Sequence, residues 1–137
     1  MPEISVRHEH GRRFRAQAGS HQLVVDLPVE SGGEDAGPSP IELFVAGLAT
    51  GAAMEAGAYL QSRDLPLEGV SVACSYRLDP AESDRLQSVD LTVCVPYALD
   101  HQHRGAVAAA AGRCPARAAL ERPPLVGVMV AACQPGG

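Results

Sequence analysis

The chain contains no lysine and no tryptophan. Without an ε-amino group no side-chain Schiff base can form, which excludes a covalently held pyridoxal cofactor. Aromatic residues make up only 4% of the sequence, so a core has to be built from Val, Leu and Ala, small side chains that let backbones approach closely. Positive charge is scarce: 11 arginines stand against 16 acidic residues, a formal net charge of -5. That balance argues against a general nucleic-acid binder, because phosphate affinity needs clustered cations. The run Arg12, Arg13, Arg15 is too short to reverse it and reads as a solvated strand edge or an anion contact. No Cys-x-x-Cys spacing joins Cys74, Cys94, Cys114 and Cys133. Residues 1–10 lack the apolar stretch of a signal peptide, and no apolar run reaches the roughly 18–20 residues of a membrane span. The expectation is a cytoplasmic protein with neither nucleic acid nor membrane as partner, its cysteines free thiols.

At 137 residues the chain has room for one domain, 1–137, or for one half of an intertwined dimer. Residues 3–27 carry two or three short strands, with turns at 11–13 and 18–20 and the clearest strand over Gln22–Leu27. Six glycines and prolines between Pro28 and Pro40 make the next segment a loop. Ser39, Pro40 and Glu42 then spell a capping box that starts a helix over Ile41–Arg63. Apolar residues run around nearly all of that helix, which predicts burial on all sides. At ~1.5 Å per residue it spans roughly 35 Å, so one small chain would not cover it and a dimer is the natural remedy.

Alternation resumes at Val70–Leu78 and, after a turn over 79–85, at Val89–Tyr97, a hairpin with one buried face. Cys74 falls in its apolar set and Cys94 in its polar set, so a bridge between them is not expected. Asp100 caps a second helix at 101–112, Cys114-Pro115 opens a third to Leu120, and Leu125–Cys133 reads as a closing strand. Strands and helices in separate runs give an α+β fold with antiparallel sheet.

The segment Gly37-Pro-Ser-Pro-Ile-Glu-Leu-Phe-Val, the small-residue stretch Ala46–Ala53 and Cys114-Pro115 after an alanine-rich helix together resemble the OsmC/Ohr family of thiol peroxidases. The resemblance covers almost the whole chain. It implies antiparallel sheets packed around a long buried central helix in an intertwined homodimer, with an organic hydroperoxide as substrate. In that family a cysteine on the central helix attacks the peroxide and a second cysteine resolves the sulfenic acid as a disulfide. The attacking position is Gly51 here, whereas Cys114 matches the resolving cysteine. A glutamate near the helix start and an N-terminal arginine hold the thiolate in hydroperoxide-reducing members. Ungapped comparison puts the first at Ile41, beside Glu42, and the second near His10, with Arg7, Arg12 and Arg13 as neighbours. Three departures at one site imply lost or altered peroxidase activity.

Gly47 and Gly51 share a helix face, and each costs roughly 1 kcal/mol against alanine in a helix interior. Either another helix crosses closely there or a pocket has been vacated, lined by Gly47, Gly51, Glu55 and Ile41, open to a small apolar ligand. Glu55 either reaches an arginine or faces that cavity. Cys114, flanked by Arg113 and Arg117 at a helix start, is the remaining nucleophile candidate or else an inherited buried cysteine. Cys74 and Cys133 read as core residues. The pairs His8/His10 and His101/His103 have ligand-type spacing, but sequence does not bring them together, and neither metal nor cofactor is expected. The readings are then an OsmC-like, stress-associated ligand-binding dimer without peroxidase activity, an atypical one-cysteine hydroperoxide reductase using Cys114, or a structural or partner-binding dimer.

Overall fold

The N-terminal strands form as their turns allow. In the computed structural model, which describes residues 2–133, β1 (Ile4–His10), β2 (Arg13–Ala18) and β3 (His21–Val25) make an antiparallel sheet in the order β1-β2-β3. The two-residue turn after the Ala18–His21 pair puts Gly19 at φ 61°, a left-handed conformation that suits glycine. A register shift between His8 and His10 bends β1 at its end.

The loop to the central helix is tied down by Asp26. Its buried carboxylate accepts hydrogen bonds from the backbone N–H groups of Leu27 (2.8 Å), Glu34 (3.2 Å) and Ala36 (3.1 Å). Its own N–H donates to the Pro38 carbonyl at 3.1 Å, closing the loop at both ends. Gly37 sits so close to the Val24 carbonyl that any Cβ would collide with backbone.

α1 (Pro40–Ser62) begins where the capping box places it. The Glu42 N–H donates to Ser39 Oγ at 3.2 Å, while the Ser39 N–H donates to Glu42 Oε1 at 3.0 Å. One side of α1 is buried through Val45, Leu48, Ala52, Ala56, Gly57 and Leu60. The other side is not, a departure from burial on all sides: Phe44, Gly47, Thr50, Met54 and Ala58 form an open stripe, with Met54 74% exposed. The elements of this chain that pack on α1 lie along the first side. By length and composition alone α1 is long and apolar enough to cross a membrane, a test that a core helix also passes; here it packs against neighbouring elements.

β4 (Ser71–Asp79) and β5 (Arg85–Cys94) form the expected antiparallel hairpin, with Val72 opposite Val93 and Cys74 opposite Leu91. Cys94 is exposed and Cys74 half-buried, as alternation requires. α2 (His101–Ala111) is capped by Asp100, whose Oδ1 accepts from the His103 N–H at 2.7 Å, and α3 (Pro115–Glu121) is capped by Cys114. The core centres on Ala56 and Leu60 of α1 and Val107 of α2, ringed by Tyr59, Leu65, Val70, Val93, Val95, Leu99 and Ala111. Two expectations fail at the C-terminal end. Leu125–Cys133 forms no strand with any described residue, and Cys133 is exposed instead of core. Alternation alone supplies the side-chain pattern of a strand but not the neighbour that would pair with it.

Candidate functional site

Gly51 lies one turn beyond Gly47, on the flank of α1 that meets the start of α3. A Cβ placed on Gly51 would stand 2.6 Å from Cys114 Sγ and 3.2 Å from Cys114 Cβ. The two positions that the family resemblance pairs, 63 residues apart in sequence (114 less 51), are therefore adjacent in space. The space next to Gly51 is not vacated, and this corrects the expected pocket: the Cys114 side chain fills it. Of the two readings of the small residue, close crossing by another element is the one that applies to Gly51.

Cys114 is 2% exposed. Its position follows from the local sequence, since Cys114-Pro115 starts α3 with proline at the first helical position and the preceding side chain as cap. The Arg117 N–H donates to Sγ at 3.4 Å, so the sulfur takes the role a serine or aspartate oxygen has at other helix starts. The Arg117 guanidinium is directed elsewhere, to the Gly112 carbonyl at 3.0 Å and the Glu121 carboxylate at 3.4 Å. What this centre offers is one enclosed sulfur opposite a bare Cα.

The other residues expected at the site are distributed differently. Gly47, one turn earlier, has open space where its side chain would be. Glu55 is half-buried on α1 and makes neither a hydrogen bond nor an ion pair with any described residue, so it does not reach an arginine within one chain. Ile41 is half-buried in the first turn of α1. Beside it, the Glu42 carboxylate is held below its usual range by the hydrogen bonds from the Ser39 backbone and side chain, and so is engaged in the cap. Arg13 and Arg15 converge on Glu9 at 3.5 Å and 2.6 Å, and the Arg15 hydrogen bond lowers the Glu9 pKa. The histidines do not assemble either: His8 meets the Gly11 carbonyl, His10 meets Glu34 at 3.0 Å, and His103 meets the Tyr59 hydroxyl at 2.8 Å. Among the described residues no cluster of His, Cys, Asp and Glu could hold a metal ion.

A groove that the sequence did not disclose lies at the start of α1. It encloses about 670 Å³ between the sheet β1-β2-β3 and the first turn of the helix, lined by Ile4, Val6, Phe14, Leu43 and Phe44 with Arg12 and Asp26 as its charged members. Asp26 is occupied by the loop, its carboxyl held low first by the Leu27 N–H and then by those of Ala36 and Glu34. Arg12 is thus the cation of the groove that is not committed to the loop. The only prior signal for Asp26 is a lone carboxylate at the end of an apolar strand, followed by a glycine-rich loop full of unpaired N–H groups.

The fold is similar to that of several solved proteins at identities that speak to fold alone. One is a Psychrobacter arcticus protein assigned to osmotic stress induction and detoxification response, with TM-score 0.79 and 19% identity over 87% of this chain and 88% of that one. Another is the organic hydroperoxide resistance protein OsmC of Legionella pneumophila, with TM-score 0.66 and 23% identity over 88% of each chain. A third is a Vibrio cholerae protein assigned to organic hydroperoxide resistance that carries captopril in one of its active sites, with TM-score 0.66 and 22% identity over 88% of this chain and 85% of that one. No curated protein sequence matches the chain. Residues 32–128, from the loop before α1 to the apolar C-terminal segment, match the family described as OsmC-like protein, and the chain belongs to that family.

Proposed function

We propose that this chain acts as an OsmC-like homodimer that does not turn over hydroperoxides and instead holds a small apolar ligand. The observation that carries the reading is the pairing of Gly51 with Cys114. Peroxide reduction by a thiol needs an accessible thiolate stabilised by positive charge. Gly51 supplies no sulfur, and the sulfur opposite it is enclosed and used as a helix cap. Glu42 is committed to Ser39 and Arg13 to Glu9, so these two of the charged groups near the expected thiolate site are engaged elsewhere. The same burial weighs against Cys114 as a one-cysteine reductase.

Two observations support the ligand and the dimer. The groove beside Leu43 and Phe44 has the apolar lining and the volume of a small-molecule site, with Arg12 to orient a polar end. Captopril in an active site of the Vibrio cholerae protein is a precedent for a small organic molecule on this fold. The open stripe of α1, with Phe44 and Met54 uncovered, asks for a second copy to bury it.

The test is consumption of cumene hydroperoxide with excess dithiothreitol, comparing the natural chain with its Cys114→Ser variant. No consumption above the protein-free rate is expected in either. Turnover that Cys114→Ser abolishes would overturn the proposal. Native mass spectrometry of the protein as purified from its source is expected to release a small molecule that Phe44→Ala loses.

A further inference from the structure

Of the arginines near the N-terminus, only Arg12 belongs to the apolar groove. Side chains along β1 and β2 alternate between two faces of the sheet. Ile4, Val6, Phe14 and Ala16 line the groove, whereas Arg7 and Arg15 stand on the other face, directly opposite each other in the antiparallel register. Glu9 joins them there. Its carboxylate accepts from Arg15 Nε at 2.6 Å and lies 3.5 Å from Arg13 Nε. Arg7 is exposed, and the side chains of Arg13 and Arg15 are 34% and 41% exposed.

This face is short of negative charge. Like charges opposite each other on neighbouring strands repel, with Cβ atoms only ~4.5–5.5 Å apart, and Arg7 and Arg15 are such a pair. One glutamate among three arginines leaves an excess of two positive charges (three less one), on a chain whose formal net charge is -5. Arg13 Nε is buried without a hydrogen-bond partner among the described residues, a sign that the acceptors of this chain do not match its guanidinium groups. Arg15, by contrast, is held in place: Glu9 takes its Nε, and Gln22 Oε1 accepts from its Nη1 at 3.4 Å. That fixes the guanidinium plane before any ligand arrives.

We propose that this face binds the phosphate monoester group of a small molecule between the opposed guanidinium groups of Arg7 and Arg15, with Arg13 adding charge beside Glu9. A phosphate monoester carries about -1.5 to -2 charge near neutral pH, which matches the excess. The planar fork of arginine fits its oxygens two at a time. A single carboxylate would cancel only half of the excess. A nucleic-acid strand needs a continuous cationic track, whereas here one cluster stands on an otherwise acidic chain. The site is separate from the apolar groove and does not depend on the ligand proposed for it.

Titration of the full chain with phenyl phosphate at constant ionic strength tests the site, followed through the arginine Nε–H resonances by NMR. With no lysine present, every side-chain cation other than histidine reports in that region. Saturable shifts are expected at Arg7, Arg13 and Arg15 but not at Arg12, with a Kd of about 1 mM or below. Arg7→Gln and Arg15→Gln are each expected to weaken binding about tenfold, with Arg122→Gln as the unaffected control. Benzoate, which puts a single charge on the same ring, is expected to bind about tenfold more weakly. Equal affinity for benzoate would overturn the match to a dianion, and a tenfold preference for inorganic phosphate over phenyl phosphate would overturn the ester. Unchanged affinity in Arg7→Gln, which leaves the pair of Glu9 and Arg15 in place, would overturn the site. So would shifts spread evenly over all 11 arginines, or shifts confined to Arg12, the latter leaving a ligand in the apolar groove untouched.

Discussion

At the scale of single residues, Gly51 and Cys114 are in close contact. A methyl group at position 51 has no room unless Cys114 moves, because its Cβ would lie 2.6 Å from a buried sulfur. Gly51→Ala is therefore expected to lower stability by about 1–3 kcal/mol in urea unfolding, despite alanine's better helix propensity. In a Cys114→Ala background the loss should shrink by more than ~0.5 kcal/mol, since the crowding sulfur is gone. Equal losses in both backgrounds would show that the two residues do not touch. Asp26 yields a pH prediction. Its pKa is lowered in the fold by three backbone N–H donors, so the unfolded chain binds its proton more readily. Its contribution to stability is accordingly complete above the unfolded carboxylate pKa and is lost as pH falls through the lowered folded value. Asp26→Asn should reduce the urea midpoint near neutrality and flatten its decline on the acid side. A parallel acid decline in both proteins would remove Asp26 as a source of it.

At the scale of elements, the start of α1 was legible because its signals are local. Ser39, Pro40 and Glu42 carry the geometry of the first turn themselves, and the structure forms both hydrogen bonds of the capping box. Ser39→Ala is expected to cost about 1 kcal/mol, measured as a shift of the thermal or urea midpoint. The hairpin β4-β5 and the caps of α2 and α3 were legible for the same reason, side-chain alternation and short-range capping. The element that eluded sequence reasoning is Leu125–Cys133. Its alternation is that of a strand, but a strand exists only when another backbone takes its hydrogen bonds, and no described part of the chain does.

At the scale of the whole molecule, the apolar girth of α1 and its one-sided burial belong together. A helix that is apolar all round has to be covered all round, and one chain covers Val45, Leu48, Ala52 and Leu60 while leaving Phe44, Met54 and the surface beside Gly47 open. Met54→Glu is expected to shift sedimentation at micromolar concentration toward the monomer without reducing helix content by circular dichroism. An unchanged sedimentation coefficient would place the subunit contact elsewhere. The groove at Leu43 and Phe44 also belongs to this scale, because Ile4 and Val6 of β1, Phe14 of β2 and Leu43 of α1 come from three separate elements and no local pattern joins the three.

By itself the sequence determined the order and type of most elements, the capped start of α1, the family and the absence of sulfur at position 51, since each of these depends on residue identity or on neighbours a few positions away. Only the tertiary structure decided that Cys114 lies against Gly51 and fills the space beside it, that Glu42 is held by its cap, and that Arg12 faces an apolar groove. It likewise decided which side of α1 a single chain can bury. These depend on the approach of segments distant in sequence, which packing selects and periodicity does not encode.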